Sequence, residues 1–210
     1  SGVAHALTEA YLVSGDDVFL QGACEAVRFE DAQFDPNSLT WRDGRVKPDG
    51  EAEHARSVVF WCHGAPGIAL TRHRIAKLTG SVDHQSACDA AVGATASWLR
   101  LALRAPNEGF SLCHGMAGNA EVLLLCTPTQ SEPLQRVAHD VAVFGVRQHL
   151  AGRDEWPCGH HGGEPFGLMT GLAGIARFYL SLSDGLATPS VLRPTTCPTV
   201  PPLKRVWPRS

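Results

Sequence analysis

The sequence predicts an all-α protein built from paired helices, and two observations carry this prediction. First, apolar residues recur at spacings of three and four in three long stretches, whereas alternation with a period of two is nearly absent. The former pattern is typical of amphipathic helices and the latter of strands. Second, a G-x-x-G turn begins at Gly64, at Gly115 and at Gly171, each time ahead of an apolar, helix-like segment.

The long amphipathic stretches run from Asp16 to Phe34, from Asp83 to Leu103 and from Leu134 to Leu150. The glycine turns that separate them are 51 and 56 residues apart, and self-similarity at a nearly fixed period indicates repeated supersecondary units. Each unit should contain a long amphipathic helix, a loop and a shorter helix that begins at glycine. Glycine there permits close approach of the backbone and leaves the first N–H groups free, although tight helix packing alone would also explain it.

Two long loops and a proline-rich end interrupt the helical pattern. Residues 36–53 and 152–167 form loops of a length that is usually functional or disordered in a compact domain. Residues 193–210 are rich in proline, which predicts a disordered tail after a domain that covers residues 1–192.

Composition excludes several classes of function. The chain has 210 residues, 44% hydrophobic and 19% charged, which suits one domain with a sizeable core. A net charge of −3 without a basic block argues against nucleic acid and anionic membranes as partners. Its apolar runs are too short to span a bilayer, and no signal peptide is recognisable. Seven scattered cysteines, an odd number, favour a reducing cytoplasm over a disulfide framework.

Cys-His pairs directly precede two of the glycine turns, as Cys62-His63 and Cys113-His114. Thiolate and neutral imidazole are preferred zinc ligands, and a helix N-terminus favours the thiolate. The pairs are 51 residues apart, so they converge only if the repeats curl around a common centre. Three protein ligands with one open position form the usual catalytic zinc site. The residue types alone leave open a second interpretation, two buried cysteines beside structural histidines.

The other histidines carry weaker signals. His160-His161 near Cys158 could form a second metal cluster, but adjacent histidines rarely point at one metal, so a glycine-rich loop that lines a pocket is favoured. We expect the remaining histidines to be ordinary surface or core residues, namely His5, His54, His73, His84, His139 and His149.

At family level, residues 61–68 (WCHGAPGI) and 112–119 (LCHGMAGN) resemble the zinc-binding motifs of the lanthionine synthetase C-like family. Residues 156–159 and 167–175 resemble the last repeat of that family, and residues 189–192 resemble the usual end of the bifunctional class II lanthipeptide synthetases. The resemblance implies an α/α toroid, of which this chain holds about half the repeats. It also implies a dehydratase domain upstream in the full-length protein.

The resemblance further implies a zinc-dependent (Zn2+) lanthionine and methyllanthionine cyclase. Its ligands carry over to Cys62, Cys113 and His114, and His63 becomes the catalytic residue for proton handling on this chain. The implied partner is a dehydrated, cysteine-containing precursor peptide, whose thiolate adds to dehydroalanine or dehydrobutyrine. A histidine and an aspartate thought to act as acid or base in the family match positions upstream of Ser1.

Two other functions remain open. One is a non-catalytic zinc-binding or thiol-binding module, a remnant of such a synthetase. The other is a glycosidase, since α/α toroids host them, but glycosidases need paired carboxylates and these glycine turns carry Cys and His instead.

Overall fold

The computed structural model of the chain describes residues 1–37, 39–42, 59–105, 108–127, 131–152, 154–158, 163–187 and 189–194. Within these residues the protein is helical apart from one two-stranded sheet, and none of their helices is long and apolar enough to cross a bilayer. The helices are α1 (Gly2–Ser14), α2 (Asp17–Asp31), α3 (Ala65–Thr79), α4 (Val82–Ala102), α5 (Met116–Cys126), α6 (Glu132–Gly145) and α7 (Leu172–Ser183). The strands β1 (Phe34–Asp35) and β2 (Thr40–Trp41) pair antiparallel.

The three predicted amphipathic stretches correspond to α2, α4 and α6, which confirms the helical prediction. Asp16 caps α2 by accepting a hydrogen bond from the Val18 N–H at 3.0 Å, and Ser81 caps α4 through the His84 N–H. Such caps satisfy backbone donors that have no partner inside the helix. Helix α6 continues directly into a π-helical segment, Val146–Ala151.

The helices form two layers. Helices α1, α3, α5 and α7 each contact the next member of the series, whereas α2, α4 and α6 each pack on the helix that precedes them. Helices α3 and α5 are buried around most of their circumference, as expected for helices enclosed by others. The main core lies where α3, α4, α5, α6 and α7 meet, and it includes Leu99, Phe110, Leu112 and Phe178.

A buried arginine joins α3 to α2. Arg72 is 2% exposed, and its guanidinium donates hydrogen bonds to Glu30 at 3.0 Å and to Asp31 at 2.6 Å. The Val27 carbonyl accepts a further bond at 3.3 Å. A buried charge is tolerated when it is paired and hydrogen-bonded in this way, and the network holds two helix pairs in register.

Several sequence predictions concern residues outside the described part of the chain. They are the ordinary role of His54, the pocket-lining loop at His160-His161, and the disordered tail beyond residue 194. The division into a domain at 1–192 and a tail at 193–210 therefore stays a prediction.

Candidate metal centre

The glycine turns begin helices, as predicted from the sequence. Gly64, Gly115 and Gly171 occupy the N-cap positions of α3, α5 and α7. Gly64 has a φ of 119°, a region that residues with a Cβ rarely adopt, so glycine is required by the backbone at this turn.

The second glycine of each turn allows the preceding loop to fold against the helix. A Cβ on Gly118 would overlap the carbonyl of Leu112, which lies six residues earlier. The same relation holds between Gly67 and Trp61, and between Gly174 and Leu168. The loops that carry Cys62, Cys113 and Met169 therefore each pack directly against the first turn of the following helix.

Backbone hydrogen bonds link equivalent positions of successive repeats. The N–H of Cys62 donates to the carbonyl of Cys113 at 3.4 Å, and the N–H of Cys113 donates to the carbonyl of Met169 at 2.8 Å. Because these three residues each precede their glycine turn at the same distance, the loops form a short ladder. This ladder brings Cys62 and Cys113 together although they are 51 positions apart in the sequence.

The predicted ligands converge at this ladder. The Sγ atoms of Cys62 and Cys113 and a ring nitrogen of His114 all lie within 4.8 Å of one another. The Nδ1 atom of His63 lies 3.1 Å from the Sγ of Cys62. The ring of Phe60 meets the rings of His63 and His114 edge-on, at centroid distances of 5.8 and 5.9 Å, which restricts both imidazoles.

The donor set suits zinc. Two thiols and one imidazole are ligands that Zn2+ accepts, and Cys62 is exposed while Cys113 and His114 are partly buried. Burial, together with the neighbouring Cys62 thiol, raises the pKa of Cys113 to about 12. The protein groups alone therefore favour the protonated thiol of Cys113, and a bound dication would reverse that preference. The exposure of Cys62 leaves access to a further ligand from solvent or substrate.

An apolar cleft opens beside the centre. Its volume is about 1210 Å³, and Cys62, His63 and Gly64 belong to its wall. Aromatic side chains, including Phe29, Trp41 and Trp61, form other parts of the lining. A cleft of this volume can hold a small molecule or a peptide segment.

Two contacts that support the Cys62 turn were not anticipated from the sequence. Asn119 is fully buried in α5, and its Nδ2 donates to the Val59 carbonyl at 2.8 Å, where the turn begins. The indole N–H of Trp61 donates to the carbonyl of Leu192 at 3.0 Å, which ties the segment 189–192 to the turn. Asn119 is part of the quoted motif, but its partner could only be identified in three dimensions.

A buried carboxyl anchors the same segment. Glu121 is fully buried in α5; its Oε1 accepts a hydrogen bond from Ser190 at 2.6 Å, and its Oε2 has no partner among the described residues. Burial raises the pKa of Glu121 above its ordinary value of 4.5, although the Ser190 bond and Arg177 act in the opposite direction.

We expect Glu121→Gln to remove a pH-dependent destabilisation. The pKa of Glu121 is raised in the folded state, so the wild-type protein loses stability as pH increases from about 4.5 through that pKa. The loss is roughly 1.4 kcal/mol for each pH unit between the pKa values of Glu121 in the unfolded and folded states. The free energy of unfolding of the variant relative to wild type should therefore rise across this interval. Urea unfolding between pH 4 and 8 measures it, with the exposed Glu132→Gln as the control. Parallel pH curves for Glu121→Gln and wild type would contradict the prediction.

A second cluster of metal-binding residue types lies apart from this centre. His73, Cys88 and Cys126 have ligand atoms within 4.8 Å of one another, although the sequence indicated only an ordinary histidine at position 73. Hydrogen bonding by the Cys126 thiol lowers the pKa of Cys88 to about 6, and the pKa of Cys126 is raised by the same contact. No spacing motif in the sequence connects these three positions.

Comparisons with known proteins identify the family of the chain. The family model for lanthionine synthetase C-like protein matches residues 1–193. A relative from Danio rerio, "Glutathione S-transferase LANCL1", is 28% identical over 189 residues, which is 87% of this chain and 41% of the relative. The chain thus spans about two fifths of the length of that relative. Its paired helices and glycine turns are those of an α/α toroid, and the chain belongs to the lanthionine synthetase C-like family.

Proposed function

We propose that this chain is the zinc-binding part of a lanthionine cyclase, which joins a peptide cysteine to a dehydrated residue through a thioether. The observation that carries the proposal is the convergence of Cys62, Cys113 and His114, with Cys62 on the wall of an apolar cleft. Membership of the family supports the same class of chemistry.

In this proposal Cys62, Cys113 and His114 hold the metal. Bound Zn2+ would supply Lewis acidity, which lowers the pKa of a substrate thiol so that it reacts as thiolate near neutral pH. The exposed side of Cys62 faces the cleft, so the peptide would approach from there. The apolar lining would exclude water around the dehydrated residue and favour addition of sulfur over hydration.

His63 is proposed to act as the general acid or base that transfers the proton in this reaction. The thiol loses its proton, sulfur forms a bond to the β-carbon of dehydroalanine or dehydrobutyrine, and the double-bond electrons move to the α-carbon. Protonation of that carbon completes the ring, so the net reaction adds S–H across C=C. The imidazole of His63 lies on the cleft wall and contacts Cys62. This contact supports the role, because a substrate thiol bound next to Cys62 would lie within reach of the imidazole.

Cyclisation of a dehydrated, cysteine-containing peptide tests the proposal directly. The full chain, supplied with zinc, is incubated with the peptide, and loss of the free thiol is followed by alkylation and mass spectrometry. Thioether formation faster than in buffer, and no faster than in buffer after Cys62→Ser, supports the cyclase. Stoichiometric zinc binding without any thioether product would instead favour a non-catalytic zinc-binding or thiol-binding module.

We expect His63→Phe to slow cyclisation by about 10²–10⁴-fold while zinc content is unchanged, because general acid–base groups contribute rate factors of this size. Phenylalanine preserves the edge contact with Phe60 but has no group that can accept or donate a proton. Single-turnover rates and metal analysis on the same preparation measure both quantities. If zinc is lost together with activity, His63 acts by orienting Cys62 and the proton-handling role is wrong.

A second candidate is addition of glutathione to an electrophile, which the name of the Danio rerio relative favours. The same thiol-binding centre would serve, with glutathione replacing the peptide cysteine. Incubation with glutathione and a dehydroalanine peptide that lacks cysteine separates the two. Adduct formation with glutathione, but no ring formation with the cysteine-containing peptide, would favour this second candidate.

The remaining parts of the proposal concern context. We propose a dehydrated precursor peptide as substrate, a dehydratase domain upstream in the full-length protein, and a cytoplasmic location. A net charge of −3 supports the expectation that nucleic acid is not a partner.

A further inference from the structure

The junction of α3, α4 and α5 contains three metal-ligating side chains from three different helices. His73 lies in the middle of α3, Cys88 on α4 and Cys126 at the last residue of α5. Their ligand atoms lie within 4.8 Å of one another. Cys88 is fully buried, Cys126 is 4% exposed and His73 is partly buried.

This cluster shares no residue with the Cys62 centre. Cys113 precedes α5 and Cys126 ends it, so the length of that helix, on the order of 15 Å, separates the two groups of ligands. A single ion cannot contact both groups, so each group of ligands would bind its own ion.

The donor atoms and their spacing fit a thiophilic metal ion. With metal–sulfur bonds of about 2.3 Å, a tetrahedral ion holds two sulfurs roughly 3.8 Å apart, so side-chain movements of about 1 Å or less would close the cluster. Two thiolates and an imidazole are a soft to borderline set that selects Zn2+ or Cu+ over Mg2+ or Ca2+. The ligands sit on packed helices, which hold a site more firmly than loops do.

An unsatisfied polar atom also points to a ligand. The Nδ1 atom of His73 is buried and has no hydrogen-bond partner among the described residues. Leaving such an atom unpaired is unfavourable, because water is lost and nothing replaces it. Coordination through Nδ1 would supply the missing partner, and it would put the proton of the neutral ring on Nε2.

We propose that His73, Cys88 and Cys126 form a second metal site, specific for a thiophilic ion, that joins α3, α4 and α5. It is independent of the proposed cyclase function. Two of its ligands are buried in the core, so its effect is on the stability of the helix packing.

Metal uptake in a background without the first centre tests this site. The full chain carrying Cys62→Ser and Cys113→Ser is reduced, freed of metal with a chelator and titrated with Co2+. We expect one equivalent to bind with a sulfur-to-cobalt charge-transfer band, Zn2+ to displace it, and the unfolding temperature to rise. The unsubstituted chain should bind one equivalent more, which checks the result without any change to the fold.

Further variants in that background assign the ligands. Cys126→Ser and, separately, His73→Gln should each abolish the charge-transfer band, whereas Cys24→Ser, at a buried cysteine of α2, should leave it intact. Circular dichroism shows that each variant is folded. The proposal is overturned if the reduced background protein takes up no cobalt, if the band survives Cys126→Ser, or if Cys88 and Cys126 are recovered only as a disulfide.

Discussion

Serine in place of Cys113 is expected to remove one equivalent of zinc from the purified protein and to abolish thioether formation. A hydroxyl group stays protonated near neutral pH and is a much poorer zinc ligand than a thiolate. We expect affinity at this centre to fall by more than about 100-fold, since loss of an outer-shell partner alone costs roughly 10–100-fold.

The fold should survive this substitution. Residue 113 joins the ladder through its backbone, by donating to Met169 and accepting from Cys62, and both bonds remain in the variant. The side chain of Cys113 is partly buried and similar in size to serine. The loss of metal would thus report on the ligand itself, without collapse of the turn.

Metal analysis by mass spectrometry after dialysis, combined with circular dichroism, makes the measurement. Cys24→Ser is the matched control, because Cys24 is a buried free cysteine of α2 that belongs to neither cluster. Unchanged zinc content in a folded Cys113→Ser protein would contradict the proposed ligand set.

Alanine at Gly118 is expected to destabilise the protein by at least about 3 kcal/mol, the upper end of the usual cost of overpacking. The added Cβ would overlap the backbone carbonyl of Leu112, and backbone cannot rotate away as a flexible side chain can. To remove this overlap, the loop that carries Cys113 must move away from α5, so zinc binding at the first centre should weaken as well.

Gly93→Ala provides a control of opposite sign. Gly93 lies on an exposed face of α4, and a Cβ there meets no atom within 4 Å. Alanine at this position should stabilise the helix by about 0.8–1 kcal/mol. Urea unfolding of both variants measures the difference, and a Gly118→Ala protein as stable as wild type would show that the loop does not pack as described.

Helix positions were predictable because helix formation here depends on local pattern. Spacings of three and four over 17 to 21 residues identified α2, α4 and α6, and the glycine turns located the starts of α3, α5 and α7. The short sheet was missed, since two-residue strands carry no period. It forms because Phe34 and Trp41 pair across it, with ring centroids 4.9 Å apart.

By itself, the sequence determined the all-α class, the repeat, and the residue types that mark the Cys62, Cys113 and His114 centre, with the family supplying their assignment as ligands. Only the tertiary structure decided that these side chains meet, through the ladder from Cys62 to Met169. It alone also brought His73 beside Cys88 and Cys126. The physical reason is the same in both cases. Local pattern shows where a helix begins and that one of its faces is buried, but which helices and loops then meet depends on contacts between residues far apart in the chain.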